Sequence, residues 1–223
     1  MFVPLEIKSL SKNYNEKEAV KNISFKVKKN EIIGILGPNG CGKTTTIGMI
    51  LGLLKPTNGE VLIDGVEIET HRVELLKKLN FISPYIELPK KLTVRQNLEV
   101  YGRLYDVKNL KKEIDYLSEK LRLNEIIDKI TGELSSGQKN RVSLAKSIIN
   151  SPAVLLLDEP TASLDPETGD FIRSFLENYQ KENGTSILLA SHNMNEVERM
   201  CSSVLMMNKG SIIDQGSPKE LIE

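Results

Sequence analysis

The chain has 223 residues, enough for one large domain, or one domain with an inserted lobe, around a substantial core. Its 30 basic residues balance its 30 acidic ones, so net charge gives no pull toward nucleic acid or acidic lipid. Two distant cysteines, Cys41 and Cys201, make no disulfide framework and favour a reducing compartment.

In chain order, the opening MFVPLEIKSL lacks a basic flank, a long apolar core and a cleavage site, which argues against a signal peptide. LEIKSL (5–10), NISFKV (22–27) and EVLID (60–64) alternate apolar and polar residues, as half-exposed strands do. EIIGIL (31–36), AVLLLD (153–158) and TSILLAS (185–191) are nearly all apolar, which predicts strands covered on both faces of a parallel sheet. TTTIGMILGLL (44–54) predicts a helix that stops before Pro56. From Thr93 to Ile149 the sequence reads as helices only: TVRQNLEVYGRLY, NLKKEIDYLSEKLRL, NEIIDKI and QKNRVSLAKSII. ETGDFIRSFLENYQK (167–181) is amphipathic, with Phe171, Phe175, Leu176 and Tyr179 on one side. VLMMN (204–208) and SIID (211–214) flank Lys209-Gly210 as a hairpin would. No apolar run approaches the ~20 residues of a membrane span, so work at a membrane would need another chain to do the spanning.

Chemistry concentrates in GPNGCGKT, comprising Gly37, Pro38, Asn39, Gly40, Cys41, Gly42, Lys43 and Thr44. It fits G-x-x-x-x-G-K-[ST] and lies between a buried strand and a helix, the context a phosphate-binding loop needs. Glycines let successive N–H groups face phosphate oxygens, and the helix N-terminus adds its positive end. Lys43 is expected to bridge the β- and γ-phosphates, and Thr44 to offer its hydroxyl to Mg²⁺. VLLLDEP ends an apolar strand in two acids facing the ligand crevice. Asp158 is expected to hold Mg²⁺ through water, and Glu159 to polarise a water for attack on the γ-phosphate.

LSSGQ (134–138), taken alone, is an ordinary helix N-cap. In the ordered set GPNGCGKTT, LSSGQ, VLLLDEP, SLD (163–165) and SHNMNEVE with His192, it resembles the signature of ABC-type ATPases. The resemblance spans almost the whole chain. LTVRQNLEVYGRLYDVK and SHNMNEVERMCSSVLMMNKG make it most similar to the ATP-binding subunits of exporters handling drugs, polysaccharides, lipids or ions.

That resemblance implies an α/β P-loop NTPase fold: a RecA-like parallel core, an N-terminal antiparallel β subdomain and an inserted α-helical subdomain. As a single ABC ATP-binding domain over 1–223, it would divide into an antiparallel region at about 1–36 and 58–72, a core at about 37–57, 73–83 and 151–223, and a helical signature subdomain at about 84–150. The resemblance further implies head-to-tail dimers with ATP and Mg²⁺ sandwiched between the P-loop of one subunit and the signature of the other. Thr45 continues the P-loop; Ser135, Ser136, Gly137 and Gln138 would meet the opposite γ-phosphate; Asp165 would speak across the dimer. His192 matches the family's switch histidine. Tyr14 matches the adenine-stacking aromatic, although an ordinary strand-end tyrosine explains it equally. Ser136 stands where the family has glycine, a change expected to be tolerated. The implied partners are a second ATP-binding subunit and an integral membrane permease on a separate chain, with the protein cytoplasmic and peripheral on the inner face of the cell membrane.

One stretch departs from the pattern. NFISPYIELP (80–89) lies where the family places its Q-loop glutamine, and counting back from LTVRQNL puts Pro84 at that position. Proline has neither a side-chain acceptor nor an N–H. Either Glu87 or Ser83 substitutes, or the ligand is absent; the stiffening by Pro84 and Pro89 favours absence. Gln96 is expected to sit on a helix surface. Tyr85, Leu88, Leu92 and Tyr101 are candidate contacts for a membrane partner, with Leu92 expected to pack inside the lobe. A soluble ABC ATPase serving assembly or regulation shares every motif. A nucleic-acid ABC ATPase would need coiled-coil insertions, zinc cysteines or two fused cores, and a P-loop kinase has no use for LSSGQ.

Overall fold

The computed structural model describes residues 3–84 and 86–221. Strands β1 (Leu5–Tyr14) and β2 (Lys17–Val27) form a long antiparallel pair, followed by β3 (Ile32–Leu36) and helix α1 (Lys43–Ile50). Then come β4 (Asn58–Ile63), β5 (Val66–Glu67), α2 (Arg72–Leu76) and β6 (Leu79–Ile82). Helices α3 (Val94–Leu104), α4 (Leu110–Lys120) and α5 (Ser136–Ile148) follow. The chain closes with β7 (Val154–Asp158), α6 (Pro166–Asn183), β8 (Ser186–Ser191), α7 (Met194–Met200), β9 (Ser203–Asn208) and β10 (Ser211–Gly216).

Two sheets result. One is antiparallel with order β2-β1-β4-β5; the other has order β10-β9-β3-β8-β7-β6 and is parallel except for the β9–β10 hairpin. This is the expected α/β architecture. β3 sits in the middle of the parallel sheet, so a boundary at residue 36 wrongly groups this first core strand with the antiparallel region. Its reason is compositional: Ile32, Ile33 and Ile35 are all buried, which a strand with one solvated face would not allow.

The parallel sheet is a wall shared by two cores. Leu155 and Leu157 face α6, α7 and the helical lobe; Val154 and Leu156 face α1 and the antiparallel sheet. Strand period makes this division automatic. Inside the lobe, Leu98, Leu117, Leu121, Leu123 and Val142 are fully buried, and fully burying each such side chain is worth about 1.5–3 kcal/mol.

Two helical expectations are corrected. The helix expected over 44–54 stops at Ile50, because Gly52 adopts φ 64° and the amides of Leu53 and Leu54 fold back onto the Gly48 carbonyl. NEIIDKI forms turns rather than a helix: Ile126 N–H donates to Leu123 O and Lys129 N–H to Ile126 O, both at 2.9 Å. The segment is too short to propagate a helix, and burial of Ile126 and Ile127 fixes it instead.

Candidate active site

The site is built at the C-terminal ends of β3, β7 and β8. Helix α1 starts behind Gly42, whose φ of 118° is open to glycine and hostile to other residues. No side chain caps this N-terminus and no acid lies in its first turn, so its amides and dipole are open to an anion. The loop is fixed from outside the motif: Gly210 N–H donates to Cys41 O at 2.8 Å, and Lys21 N–H donates to Gly210 O at 2.7 Å. Cys41 is buried, with a structural role in this anchoring and no exposed thiol.

Lys43 is only 6% exposed, and its ammonium donates to Gly37 O at 2.6 Å and to Pro38 O at 3.3 Å. A cation is thereby held inside the curl of the loop. Thr44 Oγ1 donates to Asp158 Oδ2 at 3.1 Å, across 114 residues of sequence. Burial pushes the Asp158 carboxyl above its ordinary range, the Thr44 hydrogen bond opposes that, Glu159 adds to it and Lys43 pulls down. A buried carboxylate beside a hydroxyl is a hard oxygen donor set short of positive charge, which suits Mg²⁺.

Glu159 follows β7 with φ 51°, and its N–H donates to Ala190 O at 2.9 Å, tying it to β8. Its Oε1 lies 2.7 Å from His192 Nδ1, just beyond β8. An ionised carboxylate only accepts, so Nδ1 carries the proton in this pair. Glu159 is mostly buried and His192 is 57% exposed, so one end of the pair reaches solvent.

A cavity of about 500 Å³ joins Lys43, Thr44, Asp158 and Glu159, while Gly37, Pro38, Cys41 and His192 lie outside its lining. Among the expected residues it is lined by Tyr14, Asn39, Gly40, Gly42, Lys43, Thr44, Thr45, Asp158 and Glu159. Lys17, Glu18, Ala19, Lys21 and Lys209 also line it and escaped sequence reasoning. Nothing local in the sequence marks them: the run after Tyr14 carries as many acids as lysines. Tyr14 is 46% exposed at the rim, with the Lys12 ammonium over one ring face at 5.2 Å from its centre, which leaves a planar ligand the opposite face.

Ser135, Ser136, Gly137, Gln138 and Asp165 do not reach this cavity. Ser135 caps α5, accepting from Gln138 N–H at 3.3 Å, while Gln138 Oε1 accepts from Ser135 N–H at 3.0 Å. Asp165 caps α6 through Thr168 N–H, and that backbone bond holds its carboxyl below the usual range. These residues do not meet a ligand held in this chain's own P-loop cavity.

Pro84 and Glu87 do not line the cavity either. With Ser83 they line a second groove of about 390 Å³ between the 82–90 segment, α5 and the loop before α6. Glu87 is paired with Lys90 at 2.7 Å, a bond that lowers its carboxyl pKa. Gln96 is spent on a capping box, accepting from Thr93 N–H at 2.9 Å. Leu88 is buried in the lobe core, Leu92 is half-buried, Tyr101 is half-buried beneath the Lys146 ammonium, and Tyr85 lies outside the described residues. Asn97, which the sequence did not flag, is fully buried and ties this segment down, donating to Pro89 O, Thr93 O and Thr131 Oγ1.

Comparison with known proteins agrees with this geometry. Residues 20–162 match the family model described as ABC transporter. The Nod factor export ATP-binding protein I of Ralstonia nicotianae is 36% identical over 98% of this chain and 68% of its own length. The ABC transporter ATP-binding protein NatA of Bacillus subtilis is 34% identical over 92% of this chain and 85% of its own length. Among solved structures, cbiO1 of Clostridium perfringens, part of the ABC transporter complex cbiONQ, superposes with a TM-score of 0.87 at 34% identity, covering 100% of this chain and 91% of that one. A dimeric ATP-binding cassette in a post-hydrolysis state with ADP and Pi superposes with a TM-score of 0.87 at 27% identity, covering 96% and 98%.

Proposed function

The chain belongs to the ABC transporter family, and from that premise we propose that it hydrolyses ATP at the P-loop cavity to drive a membrane permease, in the direction of export. The observation that carries the site assignment is the joining of Thr44 to Asp158 in the P-loop cavity that Glu159 also lines, with His192 reaching Glu159 from outside it.

In this reading, the α1 amides and Lys43 hold the β- and γ-phosphates, Tyr14 stacks on the adenine, and Lys17, Lys21 and Lys209 add positive charge around the mouth. Thr44 and Asp158 would hold Mg²⁺, which when bound neutralises charge building on the phosphate oxygens. Glu159 accepts the proton of the attacking water, and His192 orients Glu159 and the γ-phosphate. Catalysis is positioning and charge stabilisation rather than covalent chemistry.

The α5 N-terminus, with Ser135, Ser136 and Gly137, faces the γ-phosphate of a second copy, and Asp165 approaches that copy's site. A head-to-tail dimer glued by ATP follows, and hydrolysis loosens it. The placement of these residues away from their own cavity supports this arrangement. Ile86 in the 82–90 segment and Val100 and Leu104 on α3 leave apolar side chains exposed, and a coupling helix of the permease would dock at this lobe. No helix among the described residues is long and apolar enough to cross a membrane, so the spanning falls to the partner. The exporter-type relatives favour transport over a purely soluble role. Gentle extraction of membranes with the tagged full chain tests this: a permease with about six spans of ~20 apolar residues co-purifies. Recovery of soluble partners alone would overturn the transport reading and leave the ATPase one intact.

A further inference from the structure

Glu196, in the first turn of α7, is only 3% exposed. Both of its carboxylate oxygens are taken by hydroxyls: Thr161 Oγ1 donates to Oε1 at 2.6 Å, and Ser191 Oγ donates to Oε2 at 2.7 Å. Among the described residues no lysine or arginine pairs with it. A buried carboxylate without a cation is costly, and a fold that keeps one must satisfy its oxygens fully.

The two hydroxyls come from different segments, the loop after β7 and the last residue of β8. Thr161 lies two residues after Glu159; Ser191 immediately precedes His192. The Ser191 hydroxyl also accepts from Asn193 N–H at 3.1 Å, so the turn carrying His192 is bound on both sides. The bar from which Glu196 reaches is itself fixed. Arg199, one turn along α7, bonds Asp170 of α6, Glu177 at 2.9 Å and Ser174 at 2.8 Å. Glu159 sits in a left-handed conformation at φ 51°, which persists only where surroundings over-determine it.

We infer that Glu196 is a positioning residue for hydrolysis. Its carboxylate clamps the loop after β7 to the end of β8, immediately before His192, and thereby sets the 2.7 Å contact between Glu159 and His192. It touches neither substrate nor reacting atoms. This rests on the reading of Glu159 and His192 as the hydrolytic pair. The clamp needs two acceptor oxygens, so glutamine, which keeps one acceptor and the same shape, should serve in part.

The test measures steady-state ATP hydrolysis and nucleotide affinity for Glu196→Ala, Glu196→Gln, Thr161→Val, Ser191→Ala and Glu159→Gln in the full chain. Misplacing catalytic groups by a fraction of an ångström predicts a fall in kcat of about 10–100-fold for Glu196→Ala. Its KM for ATP and its nucleotide affinity should stay within about twofold, because binding is unaffected. Glu196→Gln should recover part of the loss, and adding Ser191→Ala or Thr161→Val to Glu196→Ala should cost nothing more. A Glu196→Ala protein that binds ATP and turns over at the wild-type rate overturns the clamp, as does a fall in affinity equal to the fall in kcat. If Glu196→Ala does not fold, the hydroxyl deletions decide: wild-type kcat in both overturns the clamp, and a selective kcat loss in each supports it. Glu159→Gln separates the two levels. Its loss of turnover with an intact Glu196→Ala rejects the clamp alone; wild-type turnover in Glu159→Gln rejects the pair the clamp serves.

Discussion

His192 Nδ1 and Glu159 Oε1 lie 2.7 Å apart although 33 residues separate them, because β7 and β8 are neighbours in register and each residue leaves the C-terminal end of its strand. Sheet register therefore brings the imidazole and the carboxylate together. His192→Ala is expected to bind ATP normally and to hydrolyse it about 10²-fold more slowly, the usual weight of a positioned acid–base partner. Parallel measurements of nucleotide affinity and phosphate release check this; unchanged release would remove His192 from the reaction.

Lys43 makes a different prediction, since its ammonium is buried against Gly37 O and Pro38 O rather than against a carboxylate. It is held by neutral carbonyls and can transfer its charge to phosphate without breaking an ion pair. Lys43→Ala should weaken nucleotide binding by roughly 10–100-fold, the worth of a charge-assisted hydrogen bond. Titration with a fluorescent ATP analogue reads this directly, and an unchanged Kd would contradict it.

Glu87 is held by Lys90 and faces the second groove, away from the P-loop cavity. Glu87→Ala should leave ATPase activity within about twofold of wild type, since a solvent-exposed ion pair of this kind contributes little. A loss near that of Glu159→Gln would show that Glu87 replaces the glutamine absent at Pro84.

Asn97 is a stability residue. Asn97→Ala would remove the Nδ2 bonds to Thr131 Oγ1 and to the Pro89 and Thr93 carbonyls and leave a void in the lobe core, although both carbonyls keep backbone donors, the N–H groups of Leu92 and of residue 97. The expected cost is about 1–3 kcal/mol, read as a fall in Tm of about 2–4 °C per kcal/mol for a chain of this size. ATP affinity should not change, because no atom of Asn97 reaches the P-loop cavity.

What the sequence made legible follows the physics of each element. β3, β7 and β8 were readable because strands buried on both faces must be continuously apolar, and the glycine pattern and lysine of the P-loop have few uses besides phosphate. The end of α1 was misread because Gly52 acts through backbone φ, which apolar spacing does not encode. NEIIDKI has helical composition, and tertiary burial of its two isoleucines outweighed propensity. Lys17, Lys21, Asn97 and Glu196 were invisible for one shared reason: each acts through partners brought close by sheet order or lobe packing, and nothing local marks them. The Pro84 departure was legible only against the family pattern; that Glu87 is paired elsewhere required side-chain geometry.

In the proposed mechanism Glu159 activates the water that attacks ATP. The most direct measurement is phosphate release by Glu159→Gln under saturating Mg-ATP, with nucleotide binding and oligomeric state followed in the same samples. The expected result is intact ATP binding, turnover lowered by about 10²–10⁴-fold and accumulation of an ATP-bound dimer. Hydrolysis at the wild-type rate, with the protein remaining monomeric in ATP, would contradict the account.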